Sequence, residues 1–174
     1  MKSLVVITAR GGSKGLPGKN IKLLNGKPMI EYTINAARNV FDDSQIYIST
    51  DSQEIIKVAE RTGLKVPFVR PDNLATDTAN SRDVLLHSIK YYESENGILP
   101  EVVILLQPTS PLRTSSQIKN ALMLFSKNLD MVISVKKTES NPYYVLFEEN
   151  KNGYLERSKK ANFTRRQDCP DVWE

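Results

Sequence analysis

Leu4-Val5-Val6-Ile7 and, just beyond it, Arg10-Gly11-Gly12-Ser13-Lys14-Gly15-Leu16-Pro17-Gly18-Lys19-Asn20 decide the reading of this chain. The first run is short, apolar and β-branched, which reads as a buried strand. The second places four glycines and three basic residues within eleven positions. Glycine lets backbone N–H groups approach a ligand closely, and Arg and Lys neutralise polyanions. A strand that empties into such a loop is where α/β proteins hold phosphates. Neither of the commonest phosphate motifs is present. Five residues separate Gly12 from Gly18 and Asn20 follows Lys19, against the Walker spacing. No three glycines fall at the offsets of the dinucleotide fingerprint. Spacing alone points to a nucleotide triphosphate loop and leaves open a basic, Gly-rich surface loop.

Outward from this loop, strand and helix patterns alternate. Pro28 suits the first turn of a helix, and Ile30, Ile34, Ala37 and Phe41 recur at helical spacing. Residues 45–50 read as a second strand. Asp51 or Ser52 can cap a helix carrying Ile55, Ile56 and Ala59, which stops near Gly63. Residues 66–69 read as a short strand, placed near an edge by Pro67. Ser81 can cap a helix with Val84, Leu85, Ile89 and Tyr92 on one face, ended by Gly97 and Pro100. Residues 102–106 form the most apolar strand, expected at the sheet centre. A loop over 107–114 leads to a helix with Ile118, Ala121, Leu122 and Phe125, and residues 131–135 read as one more strand. This βαβα order implies an α/β fold, a mainly parallel sheet with helices on both faces.

The pattern changes after about residue 137. Residues 143–147 and 154–156 flank a hairpin-like turn containing Asn152-Gly153, and a basic, poorly periodic tail runs to Glu174. The expected division is a nucleotide-binding α/β domain over 1–140 and a partial small subdomain over 141–174, one that looks cut short.

The 174 residues suit a real hydrophobic core. A net charge of +4 is mild, and no basic run interleaved with aromatics argues for nucleic acid; attraction of a small anionic substrate accounts for it. The single cysteine, Cys169, has no partner for an internal disulfide, so a reducing cytoplasm is the expected setting. No apolar run approaches the ~18 residues of a membrane span. His87 has no second His or Cys at ligand spacing. Lys159, Lys160 and Arg157 read as a solvated face.

Ligands of open parallel sheets sit at the carboxyl ends of the strands, and two more loops there carry unusual content. One is Ser49-Thr50-Asp51-Ser52; the other is Gln107-Pro108-Thr109-Ser110-Pro111-Leu112-Arg113. Prolines stiffen the latter, so that its amide and hydroxyls hold fixed directions for a base or ribose; a stiff connection with a helix cap is the plainer alternative. Jointly the stretches 9–20, 49–51, Arg70-Pro71, Leu74-Ala75-Thr76-Asp77-Thr78 and Leu106–Arg113 resemble the acylneuraminate cytidylyltransferases, the CMP-sialic acid synthetases, in order and in approximate spacing. The resemblance covers essentially the whole chain. Its last loop is similar to the sialic-type branch and differs from the acidic loop of the related CMP-Kdo synthetases.

The resemblance implies a Rossmann-like three-layer nucleotidyltransferase fold with the start of a small dimerisation subdomain. It implies transfer of CMP from CTP to a nine-carbon 2-keto sugar acid, with release of pyrophosphate. Arg10 and Lys19 match positions on the triphosphate, where each would neutralise charge moving onto the leaving group. Gly12 and Ser13 would offer backbone donors and Asn20 its amide. Arg70 and Ser81 match positions near cytosine and ribose. Gln107 and Thr109 match contacts to the sugar acid, and Arg166, beside Arg165, would grip its carboxylate. A homodimer is also implied. So is Mg²⁺, whose ligands are expected beyond residue 174; Asp51 and Asp77 read better as helix cap and loop hydrogen bonder than as metal ligands. Two rival readings remain: a nucleotide-sugar glycosyltransferase, weakened by Gln107-Pro108-Thr109 standing where an Asp-x-Asp motif would be, and a non-catalytic nucleotide-binding or interaction domain.

Overall fold

The structure is a computed structural model that describes residues 2–163 and 165–174. The chain divides into two compact units, 1–123 and 124–174.

In the first unit, strand β1 (Ser3–Thr8) leads into the glycine-rich loop. That loop ends in a single 3-10 turn, Lys19–Ile21, entered through Gly18 at φ +65°, a left-handed backbone that favours glycine. Two-residue strands β2 (Leu23–Leu24) and β3 (Lys27–Pro28) pair antiparallel and deliver the chain to helix α1 (Met29–Arg38). Pro28 therefore stands one position before the first helical residue rather than inside the first turn. Strand β4 (Ile46–Ser49) follows, then helix α2 (Gln53–Arg61), capped by the Ser52 hydroxyl accepting from the Ile55 N–H. Helix α3 (Ser81–Asn96) is capped by Asn80, not by Ser81: the Asn80 side chain accepts from the Asp83 N–H at 2.8 Å. Its other end turns through Gly97 at φ +69°. Strand β5 (Val102–Leu106) and helix α4 (Ser115–Leu124) complete the series. Thr114 and Gln117 cap α4 reciprocally, at 2.9 and 3.3 Å.

The sheet has the order β4-β1-β5, all parallel. The expected parallel sheet is present, but β1 is its central strand and β5 flanks it. The alternation of β1 explains why helices are needed on both faces. Val5, Ile7 and Ala9 join Ile30, Ile34, Ile55 and Ile118, from α1, α2 and α4, in one core cluster. Leu4 and Val6 join Tyr92 of α3 and Tyr47 in the other, with Phe68 packed against them. Leu4, Val5, Val6 and Ile7 are all fully buried, each contributing about 1.5–3 kcal/mol of hydrophobic stabilisation.

Residues 66–69 form no strand. Pro67 cannot donate to a ladder, and the segment is held by packing of Phe68 and by the Arg70 N–H donating to the Thr50 carbonyl at 2.8 Å.

In the second unit, β6 (Phe147–Glu149) and β7 (Leu155–Arg157) form the expected hairpin, displaced from the expected 143–147 and 154–156. The Asn150 carboxamide oxygen accepts from Asn152 and Tyr154 N–H groups and shapes the turn, with Gly153 at φ +80°. Asn141 is the other organiser: its carbonyl accepts from Tyr144, Val145 and Leu146, and its amide donates to the Pro170 carbonyl. Residues 131–135 are not a strand; an isolated bridge pairs Lys137 with Trp173 instead.

Candidate active site

The carboxyl ends of β1 and β5 open onto a cleft of about 310 Å³ in the first unit. Each side chain there has a local cause. The Ala9 N–H donates to the Ser49 carbonyl at 3.0 Å, carrying the β1–β4 ladder one residue into the loop. Gly11 then passes the start of α2 so closely that a Cβ on it would lie 2.9 Å from the Ser52 Cβ. Its N–H donates to the Asp51 carboxylate at 2.9 Å. Asp51 thus anchors the loop, and the helix cap expected of Asp51 or Ser52 falls to Ser52.

The Asn20 side chain, 4% exposed, donates to the Arg10 carbonyl at 3.0 Å. The two ends of the loop are tied together by this bond, and the amide expected on a phosphate is spent on the protein in this state. The Ser13 N–H is likewise engaged, donating to the Gly11 carbonyl at 2.9 Å. Gly12 is exposed, with open space where a Cβ would stand.

Three cations serve the loop in different ways. The Arg10 guanidinium pairs with Asp77 at 2.7 Å, and the Lys14 ammonium takes the other oxygen of that carboxylate at 2.5 Å. Lys14 first, and Arg10 second, hold the Asp77 carboxyl below the usual carboxylate range. Lys19 lines the cleft and has no carboxylate partner within 4.0 Å among the described residues.

Arg70 is 5% exposed and is oriented by Ser49: its Nε donates to the Ser49 hydroxyl at 3.0 Å and its Nη2 to the Ser49 carbonyl. Burial pushes its pKa down, against the pull of Asp51. A guanidinium so fixed presents its remaining donors in a constant direction. His87 lies edge-on to Phe68 at 5.0 Å, and burial, then the nearby Arg70 and Lys90, lower its pKa. It is an imidazole packed against the aromatic cluster.

On the β5 side, Pro108 is fully buried and pins the loop. The Arg113 Nη2 donates to the Gln107 carbonyl at 3.2 Å, and the Thr109 hydroxyl lies 3.5 Å from the Gln107 Oε1. Gln107 and Thr109 remain exposed and line the cleft. The cleft therefore gathers Arg10, Ser13, Lys19, Asn20, Arg70, Ser81, Gln107 and Thr109. Arg166 belongs to the second unit, where its guanidinium stands over the Tyr144 ring at 5.6 Å and lines a cavity of about 490 Å³. Its neighbour Arg165 is spent on a two-pronged pair with Asp168, at 2.9 and 2.8 Å.

Asp77 is the site residue that sequence reasoning placed in a motif without finding its partners. The signal was one carboxylate in a polar loop and a cationic loop elsewhere in the chain, but its pairing with Arg10 and Lys14 across 63 to 67 positions is not visible in spacing.

Among the described residues, no group of three or more His, Cys, Asp or Glu is placed to hold a metal ion. Asp51 and Asp77 each engage protein partners in this structure. These residues by themselves do not fit a Mg²⁺ centre. No helix is long and apolar enough to cross a membrane among the described residues.

A family model described as cytidylyltransferase matches residues 4–172. The N-acylneuraminate cytidylyltransferase of Streptococcus agalactiae serotype V is 41% identical over 145 residues, covering 82% of this chain and 34% of that protein. The pseudaminic acid cytidylyltransferase of Campylobacter jejuni serotype O:2 is 37% identical over 176 residues, covering 99% of this chain and 75% of that protein. The chain thus spans about a third of one relative and three quarters of the other. Among solved structures, CMP:2-keto-3-deoxy-manno-octonic acid synthetase complexed with CTP superposes with a TM-score of 0.67, covering 99% of this chain and 70% of that one. At 21% identity that likeness speaks for the fold alone.

Proposed function

We propose a specific reaction for this chain, which belongs to the cytidylyltransferase family: transfer of CMP from CTP to the anomeric hydroxyl of a sialic-type, nine-carbon 2-keto sugar acid. The hydroxyl oxygen attacks the α-phosphorus and loses its proton to solvent. The α–β phosphoanhydride bond breaks, and pyrophosphate leaves with the bonding electron pair. The observation that carries this reading is the convergence of the cationic loop after β1 with the Gln107–Thr109 loop after β5 in one cleft.

Charge builds on the leaving pyrophosphate as the bond breaks, so cations fixed beside it accelerate the step more than they aid ground-state binding. Lys19, without a carboxylate partner, and Arg10 take that role. The Gly12 backbone supplies a donor, Ser13 and Asn20 shape the loop that holds it, and Arg70 with Ser81 faces the cytidine. Gln107 and Thr109 meet the sugar acid, and Arg166 binds its carboxylate. The relatives' names include both N-acylneuraminate and pseudaminic acid cytidylyltransferases, so the acid is a nonulosonic acid of this group, with neuraminic, legionaminic and pseudaminic types as the candidates. A cytoplasmic homodimer belongs to the same proposal.

Calorimetric titration with CTP, ATP, GTP and UTP tests the nucleotide half, and pyrophosphate release with CTP and each acid tests the rest. Selective CTP binding with release in the presence of one acid is expected. Indifference of the folded chain to every nucleotide overturns the reading. CTP binding without release under any acid favours the non-catalytic alternative.

A further inference from the structure

The phosphate loop is not empty of anions in this structure: it holds one of the protein's own. Asp77 places one carboxylate oxygen on Arg10 at 2.7 Å and the other on Lys14 at 2.5 Å, so a single carboxylate bridges both cations. We infer that Asp77 is a built-in counter-anion, a latch that occupies the Arg10–Lys14 pair until the phosphates of an incoming ligand displace it. This inference rests on the proposed nucleotide reading of the cleft and adds to it how the site is kept closed to weaker anions.

The surroundings of Asp77 fit displacement better than permanent structure. Among the described residues the hydrogen bonds of the 71–79 segment are local: Leu74 to Pro71, Ala75 to Asp72, Ala79 to Thr76, and the Thr76 hydroxyl to that of Thr78. Its polar ties to the phosphate loop are the two Asp77 ion pairs. Leu74, Thr76, Asp77 and Ala79 line the cleft, so this segment forms one of its walls. The Asp77 carboxylate is 39% exposed and the Lys14 side chain 80%, which puts both within reach of a solute. Lys19 lines the same cleft with no carboxylate partner among the described residues and gives a polyphosphate its first hold. A ligand with several charges can then compete with a carboxylate of one charge, whereas an isolated monovalent anion has to displace a group already tethered in place. Displacement releases Arg10 and Lys14 to the ligand and leaves the 71–79 segment without its ties to the loop.

A latch makes a prediction that a structural ion pair does not: removing it strengthens binding. The test is calorimetric titration of the full chain and its Asp77→Asn and Asp77→Ala variants with inorganic pyrophosphate and with CTP, each variant first shown to be folded by its thermal transition. Both variants are expected to bind pyrophosphate roughly fivefold more tightly than the unaltered chain, the scale of two exposed ion pairs. The gain should shrink as salt screens the freed cations. Equal or weaker pyrophosphate binding by the variants overturns the latch and makes Asp77 a positioning residue for Arg10. Pyrophosphate that binds neither protein overturns it as well. Failure of the nucleotide reading looks different: the unaltered chain ignores CTP, while pyrophosphate still separates the variants from it.

Discussion

Two apolar stretches of this chain meet opposite fates. Leu4, Val5, Val6 and Ile7 are fully buried, with β4 and β5 hydrogen-bonded on either side. Met131, Ile133 and Val135 read equally well as a strand, yet they are 71%, 62% and 48% exposed and pair with nothing as a ladder. The difference lies in the partners. A strand is stabilised by what lies across its backbone hydrogen bonds and over its faces, and an apolar pattern only makes it able to accept such partners. The first unit supplies two neighbouring strands and two helical layers. In the second unit the paired backbone is the 147–157 hairpin and the bridge between residues 137 and 173, held by turn bonds around Asn141 and Asn150.

The contrast can be broken most directly by emptying the core. Ile7→Ala should cost about 2–5 kcal/mol, read as a fall in the urea midpoint, whereas Met131→Ala should stay within about 0.5 kcal/mol. A large loss at Met131 would mean that the residue is covered in solution. The proposed function would divide between the units in the same way. Lys19→Ala should lower pyrophosphate release by about a hundredfold or more and weaken CTP binding. Arg166→Ala should leave CTP affinity unchanged and raise KM for the sugar acid. A loss of CTP affinity at Arg166 would erase the division.

A smaller effect tests the packing behind the loop. Gly11→Ala would force a Cβ to within 2.9 Å of the Ser52 Cβ, so a loss of about 1–3 kcal/mol is expected, with weaker CTP binding as the loop shifts. An unchanged melting temperature would show that α2 yields freely there. The smallest effect concerns Asp43, whose two oxygens each lie 2.7 Å from the Arg38 guanidinium. That hydrogen-bonded pairing lowers the Asp43 pKa below its ordinary 3.8. A lowered carboxyl pKa contributes stability above the unfolded value and loses it as pH falls through the folded one. Asp43→Asn should therefore cost under about 1 kcal/mol at pH 7, given the solvent around the pair. The cost should vanish in acid below the folded-state pKa. A difference that persists there would mean the carboxylate acts through something other than its charge.

Local features were legible because they obey local rules. Helices α1 to α4 follow from apolar spacing, and Ser52, Gly63 and Gly97 mark their ends through side-chain capping and positive φ. The cleft was legible as a set: the loops after β1, β4 and β5 leave the same edge of the sheet because parallel strands end on one side. Less was legible where two neighbours offer the same chemistry, as with Asn80 taking the cap expected of Ser81. Apolar content also misplaced the sheet centre, since Val102–Leu106 is the more apolar run while β1 has the two neighbours.

By itself the sequence determined which segments could be strands, helices and phosphate-holding turns, because these depend on side-chain periodicity, on glycine and proline geometry and on charge within a few residues. It also carried the family in its motif order. Only the tertiary structure decided that β1 is central, that residues 131–135 stay unpaired, that Ser49 orients Arg70 and that Asp77 closes on Arg10 and Lys14. Those outcomes depend on which distant groups meet, and the free energy of such meetings is set by packing and loop closure over the whole chain rather than by any window of it.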